Sequence, residues 1–526
     1  MSPKSKQTDV TTLVREELSI VSEELSDSFP DGNFASVDLG SNSFHLIVAR
    51  FNQGQLTVID RLREMVQLAA GLDKRNRLDP EAQERALQCL SRFGERLRDI
   101  PPDQLRVVGT NTLRKARDSG RFMQEACELL GHSIDIISGT EEARLVYLGA
   151  VSSLPAIDGK LLVVDIGGGS TEIIVGEGVR PATLDSLYMG CVSFTRKFFP
   201  GGKLSRRRFQ KARLAARLEL RPVVATIKRY SWNEAVGTSG TARAVAAVLE
   251  LNGLSEEGIT LGAMKKLMRM MIKAGHIDEL QLEGLSPERS SVFAGGLAIL
   301  IEVFAALGIK QMAVAEGSLR EGILHDLVGR YRDEDARVAT VNAMSLRYHV
   351  DQAQAARVQR TAMEMLDQVS DSWNLKTTES RNLLSWAALL HEIGFDIAHS
   401  RYQRHGGYLL QHSEMPGFTR REQLLLSCLV SLHRRKIRED VLEETGSDRK
   451  EIVRLVVLLR LAVLLNRSRA PDQEMPVSIA ARSSKITLRY PPGWLHDNPL
   501  TRADLASERR FLKIIGMRMR VEAVEE

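Results

Sequence analysis

Two stretches decide how this chain folds: Val37–Ala49, VDLGSNSFHLIVA, and Val164–Gly176, VDIGGGSTEIIVG. Laid over each other without gaps, they place Val, Asp, Gly, Ile and Val at the same positions. Each reads as an apolar strand, a turn of small residues and a second apolar strand. A turn of Gly and Ser lets several backbone N–H groups face one point, which makes a nest for an anion such as phosphate. An Asp at the end of the first strand, Asp38 or Asp165, can hold Mg²⁺ directly or through water. One copy alone would read sooner as a tight hairpin with glycines for steric reasons only. Two copies in register favour the phosphate reading. An internal duplication predicts two similar lobes, with a ligand between them.

Working outward, strands and helices alternate around each copy, which predicts an α/β unit. The first lobe continues with a helix over about 80–98, a strand at LRVVGT, a helix over about 116–131 and a strand at SIDIISGT. EEARLVYLGAVSSL then reads as a helix with two acids in its first turn. The second lobe contains NEAVGTSGTARAVAAVLE and AVAEGSLREGILHDLV, each a turn running into a helix. Beyond the charged stretch RYRDEDAR the reading is almost all helix as far as RAPDQEMP. VSIAA, KITLRY and FLKIIGMRMRVE follow as strand-like pieces. The expected division is a flexible leader (1–33), lobe I (34–146), lobe II (147–327), a helical domain (328–470) and a small C-terminal α/β tail (471–526).

Composition sets the outer bounds. At 526 residues the chain calls for several domains, and 43% hydrophobic with 26% charged residues excludes a mostly disordered or fibrous protein. No apolar run is read as long enough to span a bilayer, and the first 33 residues carry no apolar core of a secretory signal. Cys89, Cys127, Cys191 and Cys428 are scattered without a CxxC, which excludes a disulfide scaffold or zinc ribbon and fits a reducing cytosol. A net charge of +5 permits a polyanionic partner without demanding one. With 5% aromatics and no stacking motif, nucleic-acid reading is not the leading expectation.

Further candidates follow from residue chemistry. Glu172 lies on the returning strand of the second copy and can face the same cavity as Asp165. VGTSGTARA, with Gly237, Ser239 and Gly240, is a third small-residue cradle at a strand-to-helix junction. Glu141 and Glu142 in GTEEARL serve either as helix N-terminal charges or as a general base, and spacing does not separate the two. Arg114 is either a phosphate clamp or an exposed helix arginine. No GxxxxGK[ST] or GxSxG is present, and HEIGF fails as a zincin motif because position 395 is Phe.

VDLGSNSFH, VGTNTLRKA, IISGTEEARL, VDIGGGSTE, MGCVSFTRKFFPGG, GTSGTARA, GSLREG and LLHEIG, in that order, resemble the exopolyphosphatase/guanosine pentaphosphate phosphatase family from about Phe34 onward. The resemblance implies the fold of the actin, sugar-kinase and heat-shock ATPase superfamily: two ribonuclease-H-like lobes with a cleft between them. It also implies roles. Glu142 matches the catalytic glutamate and Arg114 a phosphate-contacting arginine. Asp165 and Glu172 match acids associated with Mg²⁺ and the attacking water, and Asp38 is grouped with them as a metal ligand. Gly40, Ser41, Asn42 and Ser43 form the first phosphate turn, and Gly167, Gly168, Gly169 and Ser170 the second. Mg²⁺ is the expected cofactor and K⁺ a candidate activator. Region 338–469 resembles the family's HD-like domain, but His391-Glu392 stands at the His-Asp position and RTAMEML lacks the first metal histidine. A degenerate domain used for polymer binding or dimer contacts is expected.

The expected activity is processive release of orthophosphate from inorganic polyphosphate, through Mg²⁺-assisted attack of water. Lys203, Arg206, Arg207 and Arg208, and Arg434, Arg435, Lys436 and Arg438, are candidates for guiding the polymer, each cluster reading equally well as a solvated basic face. The alternative within the family is a guanosine pentaphosphate 5′-phosphatase, with guanosine tetraphosphate as a further partner. The GGG turn and KFFPGG lean toward the polyphosphate branch. A sugar kinase is disfavoured by Glu142, and a non-catalytic sensor of polyphosphate or an alarmone by the intact acids. A homodimer is expected, in the cytoplasm or peripherally at a membrane.

Overall fold

The computed structural model describes residues 32–52, 55–117, 119–155, 157–330, 335–469 and 477–523. The leader expected at 1–33 lies outside them except for Gly32 and Asn33, which already open the first strand. The chain forms two compact units. One holds the chain up to Ile134 with Leu145–Thr183 and Leu187–Glu334; the other holds Asp135–Arg144, Leu184–Ser186 and Asp335 onward.

In the first unit, β1 (Gly32–Leu39), β2 (Phe44–Asn52), β3 (Gln55–Glu64) and β4 (Leu105–Gly109) lie in the order β3-β2-β1-β4. β1 pairs antiparallel with β2 and parallel with β4. A two-residue strand, β5 (Asp135–Ile136), belongs to the second unit. The pattern then repeats with β6 (Lys160–Ile166), β7 (Thr171–Glu177), β8 (Arg180–Leu187) and β9 (Glu234–Thr238), in the order β8-β7-β6-β9. β6 is antiparallel to β7 and parallel to β9. β10 (Ile259–Thr260) and β11 (Gln311–Val314) extend this sheet beyond β9. The repeated connectivity bears out the duplication read from the two Asp-turn segments. The central strands LLVVDI and TEIIV are buried throughout, which is why they read as continuous apolar runs.

The core of the second lobe is built on the helix Pro287–Leu307. The sequence reading found no membrane-length apolar run, and Glu302 does interrupt this one, although an 18-residue window of the helix has a mean hydropathy of 2.0, enough by length and composition to cross a bilayer. Yet 78% of that window is buried within the protein, so it is the core helix of a lobe. The fully buried Glu302 within it is held by Arg213 Nε at 2.6 Å and Arg217 Nε at 3.0 Å. A buried carboxylate needs such partners to keep its charge.

The helix Leu319–Gly329 returns beneath the first sheet, packing Leu324, Leu327 and Val328 against Phe34, Ile47, Ala49 and Phe51. A buried ion pair, Arg106 Nη1 to Asp326 Oδ2 at 2.6 Å, fixes it to β4. Glycines bring it against the helix Gly139–Ser152. A Cβ on Gly149 would stand 1.9 Å from the Ser318 carbonyl oxygen, and one on Gly322 would stand 1.8 Å from that of Leu145. Backbone meets backbone at this crossing.

In the second unit, Ala336–Arg347, Gln352–Trp373, Thr378–Leu390, Tyr402–His412, Arg420–Leu432 and Arg449–Leu465 are helices. The tail adds β12 (Ser478–Arg482), β13 (Lys485–Tyr490) and β14 (Arg518–Ala523) as a three-stranded sheet. Helices and tail share one core, in which Trp373, Leu458, Ile486 and Leu512 are all buried. FLKIIGMRMRVE, read as one strand-like piece, divides: Phe511–Ile514 ends the helix Pro499–Ile514, and only Arg518 onward is strand. Leu505, Glu508 and Leu512 are buried along that helix, a helical spacing that a short apolar run conceals.

Candidate functional site

The two small-residue turns read as phosphate cradles meet. A Cβ on Gly168 would lie 2.9 Å from Ser41 Cβ and 3.6 Å from the Asn42 backbone nitrogen; one on Gly169 would lie 3.0 Å from Asn111 Oδ1. Nothing larger than glycine leaves room between them. The turn carbonyls are committed to the scaffold. Ser41 and Asn42 C=O accept from Ala69 and Gln67 N–H, each at 2.8 Å. Gly167 C=O accepts from Cys191 N–H at 2.9 Å, and Gly168 C=O from Val192 and Ser193 N–H at 3.0 and 3.2 Å. In a planar trans peptide the N–H points opposite to the C=O. The N–H groups of Asn42, Ser43, Gly168 and Gly169 are therefore turned away from the scaffold, as an anion cradle requires. Thr112 Oγ1 donates to Ser41 Oγ at 2.8 Å and holds that hydroxyl in place.

Asp165 ends β6 and is 5% exposed. Its Oδ2 accepts from Thr238 Oγ1 at 2.6 Å and Ser318 Oγ at 2.8 Å, leaving Oδ1 for a cation. Glu172 is its partner across the β6–β7 ladder, so both carboxylates share one face of the sheet. At the corresponding place in the first lobe, Asp38 faces His45. Among the described residues no group of three His, Cys, Asp or Glu side chains forms a metal cage, so Asp38, Asp165 and Glu172 do not build one by themselves. One or two carboxylates completed by water and phosphate oxygens is the usual way of holding Mg²⁺. The donor set fits that arrangement. Bound there, Mg²⁺ would neutralise phosphoryl oxygens.

His45 is the centre of a cationic cluster. Arg320 Nη1 lies 2.6 Å from His45 Nδ1, and Ser43 Oγ lies 2.7 Å from Nε2. Burial, together with Arg320, Arg63, Arg289 and Arg243, pushes the ring's pKa down to about 2, so it is neutral. Arginine only donates, so Nδ1 accepts and Nε2–H donates to Ser43. The Ser43 hydroxyl proton is then available to an anion. Arg243 and Arg289 are themselves pulled below the usual guanidinium range, first by burial and with neighbouring arginines contributing. Arg243 Nη1 donates to the Glu316 carbonyl at 3.2 Å, and Arg289 lies against Gly240. Arginines gathered at such cost point to a polyanionic ligand.

The remaining candidates distribute as follows. In the third cradle, Ser239 Oγ and Thr241 Oγ1 both donate to the Ile166 carbonyl, at 3.1 and 2.8 Å, so these hydroxyls join the start of the helix Ser239–Leu251 to the end of β6. Gly237 is buried at the end of β9 and Ser170 at the start of the hairpin return, where its carbonyl accepts from Gly167 N–H. Arg114 is half-buried in the short helix Asn111–Lys115. Glu141 and Glu142 part company. Glu141 accepts from Arg144 at 2.8 and 2.9 Å and from Gly417 N–H at 2.6 Å, a structural role within the second unit. Glu142, about 100° further round the helix, is 8% exposed.

In the basic clusters, Arg208 Nη1 donates to the Phe198 carbonyl and Arg438 pairs with Asp440, so neither is a free polymer contact. Lys203, Arg206, Arg207, Arg435 and Lys436 are exposed, and Arg434 is half-buried.

Residues that sequence reasoning left without a role are Asn111, His45, Ser318, Arg243, Arg289 and Arg320. Asn111 is 3% exposed, and its Nδ2 has no hydrogen-bond partner among the described residues. An orphaned buried donor beside Gly169 is a ready phosphate contact. Most of these residues sat inside the quoted motifs; what the sequence lacked was any sign that they converge.

The chain and its fold have counterparts among known proteins. Residues 47–331 match the Ppx/GppA phosphatase family, and residues 336–509 match its domain III. The chain is 42% identical over 479 residues to the guanosine-5′-triphosphate,3′-diphosphate pyrophosphatase of Aeromonas hydrophila, covering 91% of this chain and 95% of that one. It is 40% identical over 491 residues to the protein of the same name from Vibrio cholerae, covering 93% and 98%. The crystal structure of an exopolyphosphatase from Cytophaga hutchinsonii shares the fold, with a TM-score of 0.52, 20% identity and coverage of 57% of this chain and 98% of that one. With paired small-residue turns, duplicated lobes and relatives matched along nearly their whole length, this chain belongs to the Ppx/GppA phosphatase family.

Proposed function

We propose that this phosphatase removes the terminal phosphate from the 5′-triphosphate of guanosine 5′-triphosphate 3′-diphosphate. The observation that carries the reading is the 42% identity, over 91% of the chain, to a relative named as a pyrophosphatase of that nucleotide. The cleft chemistry supports it: an N–H cradle for one phosphoryl group, and Arg63, Arg243, Arg289 and Arg320 around His45 for further phosphates. The turns that leaned toward polyphosphate do not discriminate. Gly168 and Gly169 serve any terminal phosphoryl group, and Phe199 of KFFPGG is a core residue stacked edge-on against Phe209 at 4.8 Å.

The proposed cofactor is Mg²⁺, held by Asp165 together with substrate oxygens. Asn42, Ser43, Gly168 and Gly169 N–H groups orient the terminal phosphate, and Asn111 Nδ2 adds a donor. Glu142 is proposed from its motif as the base that orients and deprotonates water.

The test is phosphate release with Mg²⁺ from the guanosine nucleotide and, separately, from long-chain polyphosphate, using wild type and Glu142→Gln. Preferred release from the nucleotide, lowered by about 10²–10⁴-fold in the variant, is expected. Preferred release from polyphosphate would move the assignment to the exopolyphosphatase branch. Release from neither would remove the enzymatic reading.

A further inference from the structure

The second unit contains a cavity of about 350 Å³, within the range of small-molecule sites. Its lining residues all lie between Gln354 and Phe511, and none belongs to the phosphate turns. Two buried histidines close one part of it. His391 and His433 each follow a helix end, and each Nδ1 lies 2.7 Å from a carbonyl one turn back, Ala388 and Val430 respectively. A carbonyl only accepts, so both Nδ1 atoms carry the proton. Burial lowers the pKa of both rings, which leaves Nε2 as a lone-pair acceptor. The two rings stand 5.5 Å apart and perpendicular. His391 Nε2 faces the Glu392 carboxylate at 3.9 Å, an acceptor beside an acceptor. The Tyr402 hydroxyl is 3.4 Å from His433 Nε2. That hydroxyl donates to His433 Nε2, so the acceptors left open in this part of the cavity are His391 Nε2 and the Glu392 carboxylate, and they call for an N–H donor.

Another part of the lining calls for an anion. Arg460 is matched by Glu508, Arg467 by Asp504, and Arg469 by Asp351 and Glu392. Arg434 and Arg435 are not ion-paired among the described residues. Their loop is held from below: Arg460 donates to the carbonyls of Leu432 and Arg435, and Arg435 adopts a left-handed φ of 63°. The Arg434 guanidinium lies over the Tyr402 ring at 4.7 Å. Phe395 stacks on the same ring at 3.9 Å, which adds a flat apolar wall.

We propose that this cavity binds a nucleoside phosphate, its base donating N–H groups toward His391 and Glu392 and its phosphate held by Arg434 and Arg435. The site is separate from the phosphatase reading and does not depend on it. A nucleoside monophosphate has no phosphoanhydride to cleave, so its binding reads this cavity whether or not the proposed reaction occurs.

Equilibrium dialysis of the full chain against GMP, ribose 5-phosphate and inorganic phosphate tests the proposal. Wild type, an Arg434→Ala/Arg435→Ala double variant and His391→Phe are compared with Gly168→Ala, which fills the phosphate cradle. Saturable GMP binding is expected, tighter than for the two base-free ligands. It should weaken by about tenfold or more in the double variant and persist in Gly168→Ala. Arg435 is exposed and Arg434 half-buried, outside the core, so the double variant keeps the result interpretable if His391→Phe fails to fold. Three outcomes overturn the proposal: no saturable binding, equal retention of GMP and inorganic phosphate, or GMP affinity indifferent to both arginines.

Discussion

Arg320 donates to Nδ1 of His45 across 2.6 Å, and that bond dictates the tautomer of the whole ring. With Nδ1 accepting, Nε2–H must donate to Ser43, 2.7 Å away, and the serine hydroxyl is aimed by a residue that itself need not touch substrate. His45 is thus a positioning residue. His45→Ala should lower kcat/KM by about tenfold, the loss expected for one hydrogen bond in an enclosed site. His45→Gln, which can accept from Arg320 and donate to Ser43, should recover part of it. Steady-state kinetics of the two variants checks this; equal losses would reject the relay.

Stability should fall as pH drops below 6.5. His45, His391 and His433 are all held below the ordinary value in the folded state, by burial first, and His45 to about 2. The unfolded chain takes up their protons near pH 6.5, so it binds more protons than the folded chain below that pH. Their contribution is intact above 6.5 and is lost progressively on acidification, by up to about 1.4 kcal/mol per histidine per pH unit. Urea denaturation at pH 7.5 and 5.5 measures it, and His45→Gln should flatten the dependence.

Two glycine substitutions separate the cradle from its arginines. Gly168→Ala puts a methyl group 2.9 Å from Ser41 Cβ and 3.4 Å from Val192, in a space with rigid walls. Phosphate release should drop by at least about 100-fold, the scale of losing a preorganised anion site. Gly240→Ala instead meets the Arg289 guanidinium, which can swing away. It should leave the melting temperature nearly unchanged and chiefly raise KM.

Removing Asp326 should be costly. Its carboxylate takes Arg106 at 2.6 Å and Arg330 at 3.2 Å, with Arg106 and Asp326 both buried. Asp326→Ala removes this carboxylate from beside the buried Arg106 and should cost about 3–5 kcal/mol in urea unfolding. A loss below about 1 kcal/mol would show that water reaches the pair.

The hairpins were readable because their chemistry is local: the alternation of apolar strand and small-residue turn lies within thirteen consecutive residues, and it occurs twice. The lobes followed from that repeat. The arginine cluster was not readable, because Arg63, Arg243, Arg289 and Arg320 converge only through tertiary packing around His45. Glu141 and Glu142 illustrate the same limit. Adjacent acids look alike in sequence, and only the long-range bond from Gly417 N–H shows Glu141 in a structural role. The burial of Glu302 in Pro287–Leu307 was not readable for a different reason: its two arginine partners lie about eighty-five to ninety positions away.

The crossing at Gly149 and Gly322 bears on how the protein can vary. Every single-base change that alters a glycine codon's meaning either stops translation or adds at least a Cβ. At these positions a Cβ would fall within 2 Å of a carbonyl oxygen, a backbone atom with no side-chain freedom to move aside. The crossing is therefore mutationally closed: drift can alter the surfaces of both lobes, but this contact has no neighbouring genotype through which to pass.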